Sequence, residues 1–143
     1  MFFILASLAL LVPIVFTQGS KSPLSSSGIE GLMDLSRKYE DDLDWSEDLV
    51  NKALEWINSP KKAVKADVKV KGKKCFPKED EEGPVADFEK ITSSFTGPFE
   101  KQGKKIAALG AGASYGCNGF VDRKFKAKKC IHVACLFVKP KGN

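Results

Sequence analysis

The stretch that decides the fold lies near the C-terminal end and reads Tyr115-Gly116-Cys117-Asn118-Gly119, then a basic segment, then Cys130-Ile131-His132-Val133-Ala134-Cys135-Leu136-Phe137-Val138. It contains three of the four cysteines and the most apolar run outside the N-terminus. A strand that is apolar on both faces is typical of a sheet covered on both sides. We therefore expect a hairpin whose return strand, Cys130–Val138, is buried on both faces.

The first 18 residues carry no charge and are mostly apolar, and small or polar residues follow them. An apolar core of this length before small polar residues is typical of a secretory signal peptide. A retained membrane anchor is the alternative, but the run is short for a span and Pro13 interrupts it. We predict cleavage between Thr17 and Ser20, a secreted, extracellular protein, and no transmembrane anchor after cleavage.

Secretion makes disulfides the expected state of the cysteines, which are Cys75, Cys117, Cys130 and Cys135. Cys130 and Cys135 cannot pair along one strand, because roughly 16 Å would separate their Cα atoms at about 3.3 Å per residue, and a disulfide needs about 4.4–6.8 Å. Each should bond to Cys75 or Cys117, and this geometry leaves open which. Zinc is the rival, but the chain has one histidine and no closely spaced cysteine pair, so we predict no metal and no cofactor.

Three helices and a strand are predicted before the hairpin. Residues 19–28 are small and polar, which indicates a flexible mature N-terminus. Helical spacing of apolar residues predicts a helix from about 29 to 39 and a second one with a buried stripe of Leu49, Val50, Ala53, Leu54 and Ile57. Asp44 and Glu47 resemble a capping box at the start of the second helix. A third helix is expected to begin at Pro84 and to stop at residues 96–98, before a short helix or bend within residues 103–114.

Residues 63–71 alternate between apolar and charged side chains, which predicts a half-buried strand with a basic outer face. Net charge is +5, and residues 61–74 alone hold seven lysines against one acid. Such a face could attract anionic glycans or lipid head groups, or it could be a charged edge that prevents aggregation. The candidate anion-binding residues are Lys65, Lys69, Lys71, Lys73, Lys74, Arg123, Lys124, Lys126, Lys128 and Lys129.

Three stretches carry a family resemblance: Arg37 followed by Leu43-Asp44-Trp45-Ser46-Glu47-Asp48-Leu49, then Val85-Ala86-Asp87-Phe88, then Gly116-Cys117 through Ala134-Cys135-Leu136-Phe137 to Pro140-Lys141-Gly142-Asn143. Together they resemble the CAP superfamily of cysteine-rich secretory, antigen 5 and pathogenesis-related proteins, also called SCP domains. The resemblance implies an α+β fold, a three-layer α-β-α sandwich over residues 29–143. It also implies disulfides Cys117–Cys135 and Cys75–Cys130.

The family's cavity carries two histidines and two acids that can hold a divalent metal, and this chain departs from that pattern. One histidine position falls on Gly103, the other falls near Glu79, and an acid position falls near Ile91 with Glu89 close by. The only histidine, His132, lies between two cysteines in the return strand. The resemblance therefore implies a shortened, divergent member that has lost the metal site.

These observations favour binding over catalysis. Nucleophilic catalysis needs a base beside the nucleophile, and one histidine with no free cysteine offers little for that, so we predict no enzyme and no catalytic residue. The resemblance implies a secreted binding protein on a degenerate CAP scaffold, whose ligand is a partner protein or a small lipid or sterol. The alternative is a basic secreted protein that binds acidic glycans or membrane surfaces electrostatically. Nucleic acid is not expected, because the sequence shows no interleaving of basic and aromatic residues.

Overall fold

A computed structural model describes residues 20–142; the predicted signal peptide, residues 1–18, and Asn143 lie outside the described residues. The strands are β1 (Lys21–Pro23), β2 (Leu43–Trp45), β3 (Val68–Pro77), β4 (Ala113–Asp122) and β5 (Lys128–Val138). The helices are α1 (Ser26–Arg37), α2 (Glu47–Asn58), α3 (Pro84–Ser94) and α4 (Thr96–Leu109). Within this described part, none of the helices combines the length and the apolar character that a bilayer crossing requires.

The strands form one sheet in the order β1-β4-β5-β3, and β2 pairs with β4 beside β1. β4 and β5 form the predicted hairpin, with Cys117 opposite Cys135. β3 runs antiparallel to β5 on its other side, with Cys75 opposite Cys130. β2 and β4 pair in parallel, and the other strand pairings among residues 20–142 are antiparallel. The predicted α+β class and the apolar hairpin strand are confirmed.

Both disulfides join residues that face each other across neighbouring strands. Cys117 bonds to Cys135 and Cys75 bonds to Cys130, with Cα–Cα distances of 4.1 and 3.9 Å. This is the pairing that the resemblance implied and that the spacing argument had left open. Because side chains alternate along a strand, the first bond lies on one face of the sheet and the second on the other. Each disulfide therefore fixes the register of one strand pair from its own side.

Apolar clusters cover both faces of the sheet. The larger cluster joins α1, α3 and α4 to the sheet through side chains that include Leu32, Ile91, Phe99, Tyr115 and Phe137. On the opposite face, α2 packs alone and its apolar stripe meets Phe120, Ala134 and Leu136. The two-sided cover explains why β5 is apolar at successive positions. Of the predicted stripe of α2, Leu49, Ala53 and Ile57 are buried, while Val50 and Leu54 at its edges are half-buried.

The N-terminal segment differs from its prediction. Lys21–Pro23 pairs with β4, and the Ser25 hydroxyl accepts a hydrogen bond from the Gly28 backbone N–H at 3.1 Å, which caps α1. The pairing with β4 and the serine cap hold this segment in a defined conformation, although its composition had predicted a flexible terminus. The helix accordingly begins at Ser26, before the predicted start.

Three other boundaries also move. Ser46 caps α2, because its hydroxyl accepts from the Leu49 backbone N–H at 3.3 Å, while Asp44 belongs to β2 and does not cap the helix. β3 begins at Val68 and extends beyond Cys75 to Pro77, where β5 still offers a partner. Thr96 starts α4 where a stop was expected, since Pro98 lies in the first helical turn and has no hydrogen bond to lose there.

Gly116 is a position where only glycine fits. A Cβ there would lie 2.7 Å from the carbonyl carbon of Leu49 and closer still to the backbone nitrogen of Val50, so α2 rests directly on β4. We expect Gly116→Ala to lower the free energy of unfolding by ~1–3 kcal/mol or more, because backbone must move to admit the methyl group. Urea unfolding would measure it. Gly97→Ala is the control, because no atom among residues 20–142, apart from the adjacent backbone of its own helix and its two chain neighbours, lies within 4 Å of its Cβ position. Equal stability of both variants would contradict the packing.

The disulfide pairing is testable by non-reducing peptide mass mapping of the secreted protein. We expect one linked peptide pair that contains Cys75 and Cys130 and another that contains Cys117 and Cys135. A disulfide stabilises the protein by lowering the chain entropy of the unfolded state. The expected stabilisation is about 4 kcal/mol for Cys75–Cys130, whose sequence separation is 55, and about 3 kcal/mol for Cys117–Cys135, whose separation is 18. Paired Cys→Ala variants in urea would check the stabilities. A Cys75–Cys135 link would contradict the register of the sheet.

Candidate functional site

β3 divides its side chains between the core and the solvent. Val68 and Val70 are buried under the larger cluster, with 4% and 2% exposure, while Lys69, Lys71 and Lys73 are exposed. The two-residue period of a strand sends these three lysines to the side of the sheet that α2 covers. The predicted half-buried strand with a basic outer face is therefore present, shifted by several residues toward the C-terminus.

An aromatic ring organises two of these lysines. Trp56 of α2 lies beside β3, with the Lys71 Nζ 4.6 Å and the Lys69 Nζ 5.8 Å from its ring centroid. A cation over the face of an indole gains about 0.5–1 kcal/mol at an exposed site. Trp56 thus holds two like charges close together without neutralising either one.

A second aromatic pair lies on the same side of the sheet, one strand further in. The rings of Phe120 and His132 stack with centroids 4.6 Å apart, and the Lys21 Nζ lies 4.6 Å from the Phe120 centroid. His132 faces Lys73 across the β3–β5 pair. We call Lys21, Lys69, Lys71 and Lys73 the lysine face. Folding therefore interleaves aromatic and basic side chains that are far apart in the sequence, which the sequence pattern did not show.

His132 adds no charge to this face at neutral pH. Burial lowers the pKa of the imidazole, and the nearby ammonium groups of Lys73, Lys21 and Lys124 lower it further, while the Asp122 carboxylate opposes them. A histidine is half protonated near pH 6.5 when unperturbed. The lysine face consequently owes its charge at neutral pH to the lysines alone.

The remaining predicted lysines separate into other environments. Lys124 and Lys128 flank the Phe125 ring, with Nζ-to-centroid distances of 5.3 and 4.7 Å, in and beside the β4–β5 turn. Lys126 is exposed in the same turn, and Lys65 is exposed ahead of β3. Lys74 is also exposed, but the strand period directs it to the face opposite the lysine face.

Arg123 and Lys129 have a carboxylate partner. The two terminal guanidinium nitrogens of Arg123 donate to Glu82, at 2.6 and 3.1 Å. The Lys129 Nζ donates to Glu82 at 3.0 Å and to the Asp80 carbonyl at 2.7 Å. Lys129 is almost fully buried, with 2% exposure. Hydrogen bonds from these two cations lower the pKa of Glu82 to about 2. No pattern in the sequence indicated this contact, because the partners lie 41 and 47 positions apart.

This ion-pair network borders a partly enclosed pocket with a volume of ≈ 60 Å³. Ser25, Asp87 and Lys90 also line it. The Ser25 hydroxyl donates to the Asp87 carboxylate at 2.8 Å, and Lys90 donates to a backbone carbonyl. Within the described residues, no group of three or more histidine, cysteine or acidic side chains is arranged to hold a metal ion. The pocket is small, and its polar groups are bonded to one another.

Glu82 should make stability depend on acid pH. A carboxyl whose pKa is lowered by folding stabilises the protein above its unfolded pKa, near 4.5, and that stabilisation is lost as pH falls toward about 2. We expect Glu82→Gln to be less stable at pH 7 by on the order of 1 kcal/mol, because nearly half of this side chain is exposed to screening solvent. Its pH dependence between 4.5 and 2 should also be flatter. Thermal melts across this range would measure both, with Glu81→Gln as the control. Parallel curves for the two variants would contradict the network.

Comparison with known proteins identifies a family. A model of the 15 kDa excretory/secretory protein family, ES15, matches residues 32–139. A 15 kDa excretory/secretory protein of Haemonchus contortus is 29% identical over 111 residues, which cover 74% of this chain and 73% of that protein. No solved structure matches the chain.

The resemblance to CAP domains was therefore wrong. The residues that suggested it serve this fold for general physical reasons. Gly116 admits the backbone of α2, and Cys117 and Cys135 form a cross-strand disulfide. Gly103, which departs from the CAP pattern, contacts Tyr39, whose ring would lie 2.5 Å from a Cβ at that position. Close helix–strand contacts and cross-strand disulfides occur in unrelated proteins as well. With a family model matched over residues 32–139, about three quarters of its length, the chain belongs to the 15 kDa excretory/secretory protein family.

Proposed function

We propose that this protein is a secreted, non-enzymatic binding protein that captures acidic partners through its lysine face. Secretion is supported by the family, whose description is excretory/secretory, by the H. contortus relative of the same description, and by the uncharged apolar N-terminus. The binding role rests on the structure of the lysine face itself.

The observation that carries the proposal is a group of uncompensated charges. Within residues 20–142, no carboxylate lies within 4 Å of the ammonium groups of Lys21, Lys69, Lys71 or Lys73, whereas Arg123 and Lys129 both pair with Glu82. Like charges grouped on one surface raise the local potential and attract oppositely charged macromolecules. Trp56 keeps two of them together, which favours a partner whose negative charges are closely spaced.

A partner protein or an acidic glycan fits this surface better than a small lipid or sterol. Sites for drug-sized molecules are concave, with volumes of about 300–1,000 Å³. The pocket beside Glu82 has ≈ 60 Å³, and larger hollows, such as one of ≈ 350 Å³ beside Phe120, are shallow and open to solvent. The lipid proposal also depended on the CAP resemblance. We keep the three-layer α-β-α arrangement as part of the proposal, supported by α2 on one face and the other helices on the second face.

The absence of catalysis is likewise proposed. His132 is stacked on Phe120 on the α2 side of the sheet, whereas Ser25 belongs to the pocket bordered by α3 and donates its proton to Asp87. A serine that donates directly to a carboxylate, with no imidazole beside it, lacks the histidine base of the usual serine nucleophile.

Charge neutralisation on β3 tests the proposal. We expect the triple variant Lys69→Gln, Lys71→Gln, Lys73→Gln to bind heparin, used as a polyanion probe, roughly tenfold more weakly, from about 0.5 kcal/mol for each exposed charge. Binding of the unaltered protein should weaken steeply as salt rises. Fluorescence titration at several salt concentrations would measure both effects.

The matched control changes the same net charge elsewhere, through Lys38→Gln, Lys104→Gln and Lys105→Gln, all at exposed positions outside the lysine face. This variant should bind almost as well as the unaltered protein. An equal loss in both triple variants would show that net charge alone governs binding, and the lysine face would then have no special role.

A further inference from the structure

β3 is the outermost strand on its side of the sheet. Over its ten residues it pairs with β5, and within residues 20–142 no strand pairs with its other edge. The corresponding edge of β4 is occupied by β1 and β2. An unpaired edge presents backbone N–H and C=O groups that can receive another strand.

Hydrogen bonds elsewhere in the sheet determine which residues of β3 point outward. The carbonyls of Tyr115 and Gly119 in β4 accept from Ser46 and Leu24, at 2.8 and 3.1 Å, so they point away from β5. Directly opposed residues in an antiparallel pair exchange both hydrogen bonds or neither. Phe137, which is opposite Tyr115, therefore directs its backbone groups toward β3.

The same alternation extends to β3. Phe137 is opposite Val68, so every second residue from Val68 bonds inward to β5, and the residues between them direct N–H and C=O to the open edge. The outward residues are Lys69, Lys71, Lys73, Cys75 and Pro77, and the proline has no N–H to offer. The three lysines of β3 that belong to the lysine face are thus also the residues whose backbones are free to pair.

A groove runs beside this edge. It is lined by Lys69 and Lys71 of β3, by Trp56 on the α2 side, and by Pro98, Lys101 and Gln102 on the α4 side, and its volume is ≈ 250 Å³. Lys101 adds a further exposed positive charge. A strand laid in this groove would meet backbone donors and acceptors along one side and ammonium groups above them.

The lysines of β3 determine which kind of strand can pair with this edge. A second copy of β3 would place lysines opposite lysines, which destabilises cross-strand pairs, and a neutral strand would gain nothing from them. A strand with acids at every second position would place each carboxylate opposite a lysine. We propose that an extended acidic segment of a partner protein adds antiparallel to the β3 edge, with its backbone bonded to Lys69, Lys71 and Lys73. This inference rests on the proposed function and names the partner and the mode of capture.

The test uses a fluorescent peptide with glutamate alternating with threonine, about seven residues long to span the three lysines at roughly 3.3 Å per residue. In an antiparallel pair, the glutamates opposite the lysines supply the N–H groups that bond to β3. Methylation of the glutamate amides should therefore weaken binding at least tenfold, while methylation of the threonine amides should change it little. The two methylated peptides carry the same charge, so their difference measures hydrogen bonding to the edge.

A backbone variant of the protein provides the converse test. The Lys71 N–H faces away from β5, so Lys71→Pro removes an edge donor without removing a bond of the sheet. We expect this variant to keep its melting temperature within a few degrees and to bind the peptide much more weakly than Lys71→Gln, which loses the same charge. If Lys71→Pro does not fold, the methylated peptides still decide the question with the unaltered protein.

The outcomes separate the inference from the function that it deepens. Equal binding of both methylated peptides would overturn strand addition and leave capture by charge intact. Binding of heparin without binding of any peptide would assign the lysine face to acidic glycans and overturn the peptide partner. Failure of heparin and peptide alike would overturn the proposed function together with this inference.

Discussion

The antiparallel ladder between β4 and β5 positions every other element of this protein. One edge of β4 receives β1 and β2, and the free edge of β5 receives β3, while helices pack on both faces of the pair. Side chains alternate along each strand, so a slip of one residue would exchange the residues that face α2 with those that face the other helices. The Cys117–Cys135 bond prevents that slip, and Cys75–Cys130 imposes the same constraint on β3 from the opposite face.

The surface chemistry follows from this register. Once β3 is fixed against β5, Val68 and Val70 enter the core and the intervening lysines must remain in solvent beside Trp56. The same alternation that places their side chains on the α2 side also turns their backbone groups toward the open edge. The same three lysines therefore carry both the exposed charges and the unpaired backbone groups, because side chains and hydrogen bonds both alternate with a period of two. The Cys75–Cys130 disulfide fixes the register on which this alternation depends.

Periodic patterns in the sequence predicted the elements whose structure depends on residues close together in the chain. The alternation in β3, the stripe of α2, the start of α3 at Pro84 and the apolar hairpin strand could all be read from spacing, because burial acts on every second or every third to fourth residue. The contact of Glu82 with Arg123 and Lys129 joins residues 41 and 47 positions apart, and no periodicity encodes such a pairing. The short β1 was missed because its partner strand, rather than its own composition, makes it a strand.

The resemblance to CAP domains failed for a related reason: its hairpin residues, Gly116, Cys117 and Cys135, provide a close helix–strand contact and a cross-strand disulfide, which are not specific to one family. The distribution of charge is a better guide to what this particular chain does. Lys129 is tolerated at 2% exposure because a carboxylate and a backbone carbonyl satisfy it, and a buried ammonium without such partners would be costly. The Lys129 ammonium group therefore serves the folded structure through these contacts. The lysines of β3 avoid this cost by remaining hydrated, so their charge stays available to a partner. A net charge of +5 cannot distinguish these two groups of cations; burial and pairing can, and they direct attention to the edge of β3.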